Sequence, residues 1–318
     1  DNIELHLEMA KAQLASGSDQ AALNTLERAR KVDPQHVGAL QLIAGVYAAR
    51  GDGWMAARYW QRVLAIEPDH LEARRELCNY YQSEGDSYLD FGRHELAVAT
   101  YQQGLEIDPQ HGGLLGSLAV AWARRRDRTA AADYARQAAE YSGATPSGYL
   151  HAARAMLILG TSEDALAYAR LAGERVPNLA PGFYMDLAVS ALDYKQDALF
   201  AEFERMAENI ADDKIEFYHT TAGTLISLGR LALAETYLKR LLEADPHNRQ
   251  GCFMLGVVYA ETGRVKEAKK LWREGKQLAR KAGDLELLEV IEATEALFGS
   301  GMPPGFFGMM MNLLEQEM

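Results

Sequence analysis

The chain has 318 residues, of which 48% are hydrophobic and 25% are charged, and its formal net charge at pH 7 is −12. This composition is typical of a folded chain and excludes a disordered one. Because nucleic acids and anionic membranes attract clustered positive charge, the acidic balance argues against both as partners.

Localisation is inferred from patterns that the sequence lacks. No apolar run approaches the roughly 18 residues that span a bilayer, and no basic, apolar, small-residue signal opens the sequence. We therefore expect a cytoplasmic protein. A periplasmic or envelope-associated location is the alternative, because Asp1 is not an initiator methionine and an N-terminal segment can have been removed.

Five prolines recur along the chain at intervals close to 34 residues or to twice that number. They are Pro34, Pro68, Pro109, Pro177 and Pro246. The first interval is 34 residues, the third is 68 and the fourth is 69, while the second is 41, which equals 34 plus 7. A fixed period of this size predicts a chain built from repeated structural units.

The segment Leu40–His70 shows what one unit contains. Two apolar stripes at helical spacing flank a turn at Gly51–Gly53, and Pro68 ends the second stripe. Proline stops a helix because it cannot donate a backbone hydrogen bond and restricts the residue before it. The pattern predicts two helices joined by a tight turn, and the same template fits Tyr218–Pro246 and Cys252–Ala279.

Small residues on both helices of these three units allow a close approach, and one large residue fills the space beside them. The small residues are Ala44, Ala222 and Gly256 on the first helices and Ala56, Ala234 and Ala268 on the second, and the large ones are Trp60, Leu238 and Trp272.

This pattern resembles the tetratricopeptide repeat (TPR) family over nearly the whole chain. The resemblance implies an all-α fold, a right-handed α-α superhelical solenoid of about eight helical hairpins. On its register the solenoid covers 1–282, with units near 3–36, 37–70, 78–111, 112–145, 146–179, 180–214, 215–248 and 249–282. Two units depart from the family pattern, since Arg126 replaces the turn glycine of the fourth and Tyr194 or Lys195 that of the sixth.

Two segments fall outside the period. The seven residues 71–77 equal about two helical turns, so they can extend the first helix of the third unit without changing its inward face. Residues 283–299 place apolar side chains near one side and glutamates elsewhere, which predicts the polar-faced capping helix that ends a solenoid.

The resemblance directs attention to the first helix of each unit, whose outward positions line a concave groove that TPR proteins use for peptides. The early units present a polar, partly acidic set: Glu4, Lys11, Gln41, Gly45, Asn79, Gln82 and Asp86. The later units present a largely apolar set, which we predict as the partner-binding groove: Leu150, Arg154, Leu157, Val189, Leu192, Ile226, Phe253 and Val257. Packing between helices is the competing interpretation of the apolar residues.

No pattern for catalysis, a cofactor or a metal is present. The sequence has no phosphate-binding loop, dinucleotide fingerprint, zinc-protease motif or nucleophile elbow. His36, His70, His111 and His247 recur near the unit ends, and we interpret them as turn residues because equivalent positions are separated by roughly 9 Å or more. Cys78 and Cys252 are predicted as small packing residues. We therefore expect no enzyme activity, no cofactor and no metal.

The segment Arg264–Lys281 holds eight Lys or Arg residues and two Glu residues. Because stacking aromatic residues do not alternate with these charges, we do not expect nucleic-acid binding. We interpret the segment as a solvated helix face that the acidic capping helix partly neutralises.

Residues 300–318 form a Pro/Gly linker and a tail rich in Met and Phe. Phe306, Met309, Met310, Leu313 and Leu314 fall at the spacing of one helix face, with Phe307 beside them, which predicts a short amphipathic helix suited to a groove. Membrane insertion is disfavoured because the tail lacks Lys and Arg and carries acidic charge. The tail either occupies a groove of its own chain or a neighbour, or covers exposed core on the last repeat.

These patterns predict a non-catalytic scaffold or adaptor that binds a peptide or amphipathic helix of another protein and organises a complex. The alternatives are a structural homo-oligomer assembled through exchange of the tail, and the regulatory TPR region of a larger enzyme. Neither a membrane span nor a nucleic-acid partner is expected.

Overall fold

The computed structural model describes residues 2–299, and the backbone there consists of helices joined by short turns, with no strand among these residues. The prediction of an all-α fold made of helical hairpins is confirmed. The described residues divide into two compact units, and we call residues 2–179 with 190–199 the first unit and residues 180–189 with 200–299 the second unit.

The first unit is a series of antiparallel helix pairs. Its helices are α1 (Ile3–Ala15), α2 (Asp19–Val32), α3 (Val37–Ala49), α4 (Gly53–Ile66), α5 (Leu71–Asp90), α6 (His94–Ile107), α7 (Gly112–Arg124), α8 (Arg128–Tyr141), α9 (Pro146–Leu159) and α10 (Ser162–Arg175). The residues 71–77 lie within α5, which at 20 residues is the longest helix of the series. The end of α11 and the first residues of α12 also belong to this unit.

The second unit contains most of α11 (Pro181–Asp193) and α12 (Asp197–Ile210), followed by α13 (Lys214–Ser227), α14 (Leu231–Ala244), α15 (Arg249–Glu261), α16 (Val265–Ala282) and α17 (Leu285–Gly299). Helix α17 packs on α16 through Ile291, which is fully buried. A Cβ on Gly275 of α16 would lie 3.4 Å from the Ile291 side chain, so the two helices are in close contact.

Left-handed backbone conformations mark the turns within the hairpins. Gly51 has a φ of 76° between α3 and α4, as expected for a residue without a Cβ. Arg126 and Lys195 occupy the corresponding turns with φ of 65° and 57°. These two residues therefore adopt a backbone conformation that costs L-amino acids energy. The turn of the sixth hairpin is at Lys195.

Histidines cap three of the first helices. The Nδ1 atoms of His36, His70 and His111 accept hydrogen bonds from backbone N–H groups at the start of α3, α5 and α7, at 3.3, 3.2 and 3.2 Å. The predicted turn position of these residues is confirmed, and each also satisfies an N–H group that the helix leaves unpaired. At the start of α15 the neighbouring Asn248, rather than His247, provides the cap.

Small and large residues interlock inside the hairpins as predicted. Trp272 of α16 is fully buried, and its Nε1 donates a hydrogen bond to the carbonyl oxygen of Phe253 at 3.2 Å. A Cβ on Gly256 would lie 2.3 Å from that same Nε1 atom. Only glycine therefore fits at this position beside the indole ring.

Candidate functional site

Three grooves lie along the first helices of the hairpins, and their chemistry differs. The first is an amphipathic groove of about 600 Å³ between α1, α3 and the start of α5. It contains three residues of the predicted polar set, namely Lys11, Gln41 and Gly45. Gln41 donates a hydrogen bond to Glu72 at 3.1 Å, and Lys11 pairs with Glu8 at 2.8 Å. The polar groups here are thus largely paired within the chain.

The second, which we call the polar groove, has a volume of about 320 Å³ and belongs to the first unit. Its lining comes from α5, α7, α9 and the end of α11: Asp86, Leu89, Asp90, Ser117, Val120, Arg124, His151, Arg154, Ile158, Ser190, Asp193 and Tyr194. The lining therefore carries charged side chains of both signs.

Hydrogen bonds organise one wall of the polar groove. Asp86 accepts a hydrogen bond from the Tyr101 hydroxyl at 2.6 Å and another from the Ser117 hydroxyl at 3.3 Å. Burial raises the pKa of Asp86 above its usual range, although these two bonds act in the opposite direction. Arg124 donates to the carbonyl oxygen of Leu89 at 3.0 Å.

Two nitrogen atoms of the same groove have no hydrogen-bond partner. They are Nδ1 of His151 and Nε of Arg154, and both are buried. Burial, with a smaller contribution from the positive charge of Arg154, lowers the pKa of His151 to about 4, so its ring is neutral near pH 7. Buried donors and acceptors are normally paired, so these atoms mark a place where a polar ligand group fits.

The third, which we call the apolar groove, has a volume of about 420 Å³ and belongs to the second unit. Residues of α11 and α13 and of the loop before α13 line it: Ala180, Pro181, Gly182, Met185, Asp186, Val189, Ala211, Asp212, Asp213, Glu216, Phe217, Thr220, Thr221, Thr224 and Leu225. Four of these residues are acidic and none is basic. The groove thus combines apolar side chains with a negative potential.

The structure separates the eight residues predicted for the binding groove. Val189 lines the apolar groove and Arg154 lines the polar groove. Leu157 and Val257 are each only 1% exposed, Ile226 and Phe253 are also buried, and none of these four lines one of the three grooves. Leu150 and Leu192 are partly buried and line none of the three grooves.

Sequence reasoning missed Met185 and Phe217, which line the apolar groove together with Val189. Met185 lies four residues before Val189 and therefore on the same face of α11. This spacing is the signal that could have identified it. The tail residues predicted to bind a groove, from Phe306 to Leu314, lie outside the described residues.

The remaining predictions concern metal, membrane and charge. Between residues 2 and 299, no three His, Cys, Asp or Glu side chains are placed to share a metal ion. No helix in this range is long and apolar enough to cross a membrane. Cys78 and Cys252 are buried free thiols, and burial raises the pKa of each to about 11.

The basic run on α16 is confirmed as a helix face partly neutralised by the acidic helix that follows. Lys276 contacts Glu295 at 2.6 Å, and Arg280 contacts Glu292 at 3.3 Å. Arg264, directly before α16, instead pairs with Glu235 of the earlier helix α14 at 2.9 Å. Lys266, Lys269, Lys270 and Arg273 are exposed on the same helix.

Comparison with known proteins gives matches in both sequence and structure. Sequence models described as "Tetratricopeptide repeat" match residues 225–284 and residues 79–111. No curated protein matches the chain in sequence.

Several solved structures are similar. One is a tetratricopeptide repeat protein from Parabacteroides merdae, with 12% identity, 91% of this chain and 98% of that chain covered, and a TM-score of 0.42. Another is a thermophilic TPR protein from Thermus thermophilus, with 23% identity, 60% and 100% coverage and a TM-score of 0.37. A third is pilF of Pseudomonas aeruginosa, with 16% identity, 65% and 91% coverage and a TM-score of 0.40.

The matched segments fall on paired helices in both units of the chain. Residues 79–111 span most of α5 and all of α6, and residues 225–284 span the end of α13 through α16. Helical hairpins of the same kind recur through the described residues. Residues 79–111 and 225–284 are therefore tetratricopeptide repeats.

Proposed function

We propose that this chain is a non-catalytic scaffold that binds an amphipathic segment of another protein in the apolar groove and thereby organises a complex. Tetratricopeptide repeats serve in general as protein-interaction scaffolds, which agrees with this role. The single observation that carries the proposal is the apolar groove itself, a cleft of about 420 Å³ lined by Met185, Val189 and Phe217. Grooves of this size and character accept the apolar face of a short helix.

The charges around the apolar groove define the partner further. Asp212, Asp213 and Glu216 line the groove at the start of α13, and Asp186 lines it from α11. Asp213 caps α13 by accepting from the N–H groups of Ile215 and Glu216, so its carboxylate is fixed in place. Like charges across an interface cost free energy, whereas opposite charges increase the association rate and specificity. The partner segment therefore combines an apolar face with Lys or Arg residues.

The chain's own tail is a weaker occupant of the same groove. In the amphipathic helix that the sequence predicts for residues 302–318, Met309, Met310 and Leu313 would share one face, but the segment contains two Glu and no Lys or Arg. Its charge repels the acidic lining, while its attachment to the chain raises its effective concentration. We propose that the tail occupies the groove of its own chain or of a second copy, and that a basic partner displaces it.

The test uses two synthetic helical peptides with one apolar face, one carrying Lys on its polar face and the other Glu at the same positions. Fluorescence anisotropy with the full chain should show tighter binding of the Lys peptide, and added salt should reduce the difference. Val189→Asn should weaken binding of the Lys peptide about tenfold by removing apolar contact. The matched control is Val290→Asn on α17, where the side chain is exposed. Equal binding by the two variants would contradict the proposal.

Removing residues 302–318 tests the tail separately. Tail docking predicts that the shortened chain binds the Lys peptide more tightly, or that its mass by light scattering decreases. If neither changes, the tail does not occupy the groove, while the scaffold proposal still depends on the peptide result.

A further inference from the structure

The polar groove of the first unit offers a second site, whose chemistry differs from that of the apolar groove. Its walls carry three Asp and two Arg side chains, together with the neutral His151. A charged ligand group of either sign would meet like charge in this groove, because Asp86 and Asp90 line it from α5 and Arg154 lines it from α9. A group that both donates and accepts hydrogen bonds without net charge avoids this cost.

The unpaired atoms specify what such a group must do. The Nε–H of Arg154 is always a donor, so it requires an acceptor from the ligand. Nδ1 of His151 donates or accepts according to the tautomer of the neutral ring. Asp86 already accepts hydrogen bonds from Tyr101 and Ser117, and its carboxylate lies beside the groove with that of Asp90. These carboxylates can accept a further hydrogen bond from a donor on the ligand.

An amide matches both requirements, since its oxygen accepts from Arg154 and its N–H group donates to a carboxylate. Amides reach the groove from two sources, the side chain of Asn or Gln and the main chain of a peptide. The unpaired nitrogen atoms have almost no exposed surface in the unliganded chain, so a ligand group reaches them only if it is small and neighbouring side chains move aside. A side-chain amide on a flexible stem can do so. A main-chain amide is less suited, because the peptide chain continues on both sides of it.

We propose that the polar groove binds the primary amide of an Asn or Gln side chain of a partner protein, with Arg154 and His151 contacting the amide. This site is additional to the function that we propose for the apolar groove. The two are tested by different probes, so either can fail alone.

The experiment titrates the full chain with four blocked amino acids: the N-acetyl, N-methylamide forms of glutamine, glutamate, lysine and alanine. Nuclear magnetic resonance of the Arg154 Nε–H and His151 ring signals reports contact directly. The glutamine probe should shift both signals and bind about tenfold more tightly than the other three, because each of those leaves a buried group unpaired. Tighter binding of the glutamate or lysine probe would overturn the amide assignment. Equal binding of the alanine probe would assign the main chain as the source and overturn the side-chain assignment, and no shift with any probe would overturn the site.

Two variants provide the control. Arg154→Lys keeps the positive charge but removes the Nε–H group, so the glutamine probe should lose about tenfold in affinity. Arg58→Lys makes the same substitution on α4, where Arg58 stacks on Trp54 and does not line the polar groove. This variant should leave probe binding unchanged. Circular dichroism verifies that both variants are folded. If Arg154→Lys is not folded, the preference among the four probes in the unaltered chain still decides the question.

Discussion

His111 holds the first turn of α7 through the nitrogen that accepts from the N–H of Leu114. Protonation of Nδ1 would remove that acceptor. Burial is the main reason that the pKa of His111 lies below its ordinary value of 6.5, and the nearby Asp108 carboxylate only partly opposes the shift. The folded state therefore favours the neutral ring, and folding and protonation of this residue compete.

This competition predicts how stability depends on pH. The contribution of His111 is fully present above pH 6.5, and it decreases as the pH falls through the window between 6.5 and the lowered pKa, because the unfolded chain binds the proton first. Replacing His111 by Asn keeps a strong helix cap without a titrating group. The free energy of unfolding by urea should therefore decrease less between about pH 7 and pH 5 in His111→Asn than in the unaltered chain.

His111→Ala is the control for the cap itself. It should cost about 1 kcal/mol at neutral pH because the N–H of Leu114 loses its partner. If His111→Asn shows the same dependence on pH as the unaltered chain, the acid sensitivity has another source.

The role of these histidines shows what residue types alone can predict. Their recurrence before four of the first helices placed them correctly in the turns, since a turn position follows from the period of the sequence. Capping could not be predicted in the same way, because Ser, Thr, Asp and Asn are the preferred caps and histidine is not. At the start of α15 the helix cap is Asn248, a more usual capping residue, although His247 lies directly before it.

At the scale of one hairpin, the pair Gly256 and Trp272 makes the strongest prediction. Gly256→Ala should lower the free energy of unfolding by about 1–3 kcal/mol, because the added methyl group meets the buried indole ring. Gly45 is the matched control, since it lies in the first helix of another hairpin and a Cβ there meets nothing within 4 Å. Gly45→Ala should raise stability by about 0.5–1 kcal/mol through helix propensity.

Urea unfolding of the two variants, followed by circular dichroism, compares them under identical conditions. Opposite signs are expected for the same chemical change. A stabilising effect of Gly256→Ala would show that α15 and α16 do not pack as described.

Hairpins were predictable from the sequence, whereas only some of the groove residues were. Small and large residues at a fixed period are enough to pair two helices, and Trp60 and Trp272 are buried as that pattern requires. Assigning a side chain to a groove requires the rotation of each helix, and one residue corresponds to about 100°. Ile226 was predicted in the groove, but its neighbour Leu225 lines it instead, which is a shift of this size.

At the scale of the whole molecule, the charge of the chain did not reveal that its grooves differ. A net charge of −12 describes an average, while the apolar groove has only acidic charges and the polar groove has both signs. Such differences depend on which helix faces meet, and a repeat pattern does not specify them. The long-range consequence of a repeat pattern is instead that most helix contacts join neighbours or next neighbours in the chain.

Contacts of this kind predict that a destabilising substitution at one end of the chain affects only the helices near that end. Ile291→Ala removes a fully buried side chain from the interface of α17 with α16 and should cost about 2–5 kcal/mol. In a repeat array each element is stabilised chiefly by its neighbours. Hydrogen exchange measured by mass spectrometry should therefore show faster exchange in α15, α16 and α17, with the rates of α1 to α4 unchanged.

Val290→Ala is the matched control for this experiment, because that neighbouring side chain is 42% exposed and its loss should change stability by no more than about 0.5 kcal/mol. Its exchange pattern should equal that of the unaltered chain. Faster exchange throughout all helices of Ile291→Ala would instead mean that the chain unfolds as one cooperative body. Stability at α17 would then be transmitted to helices that have no contact with it.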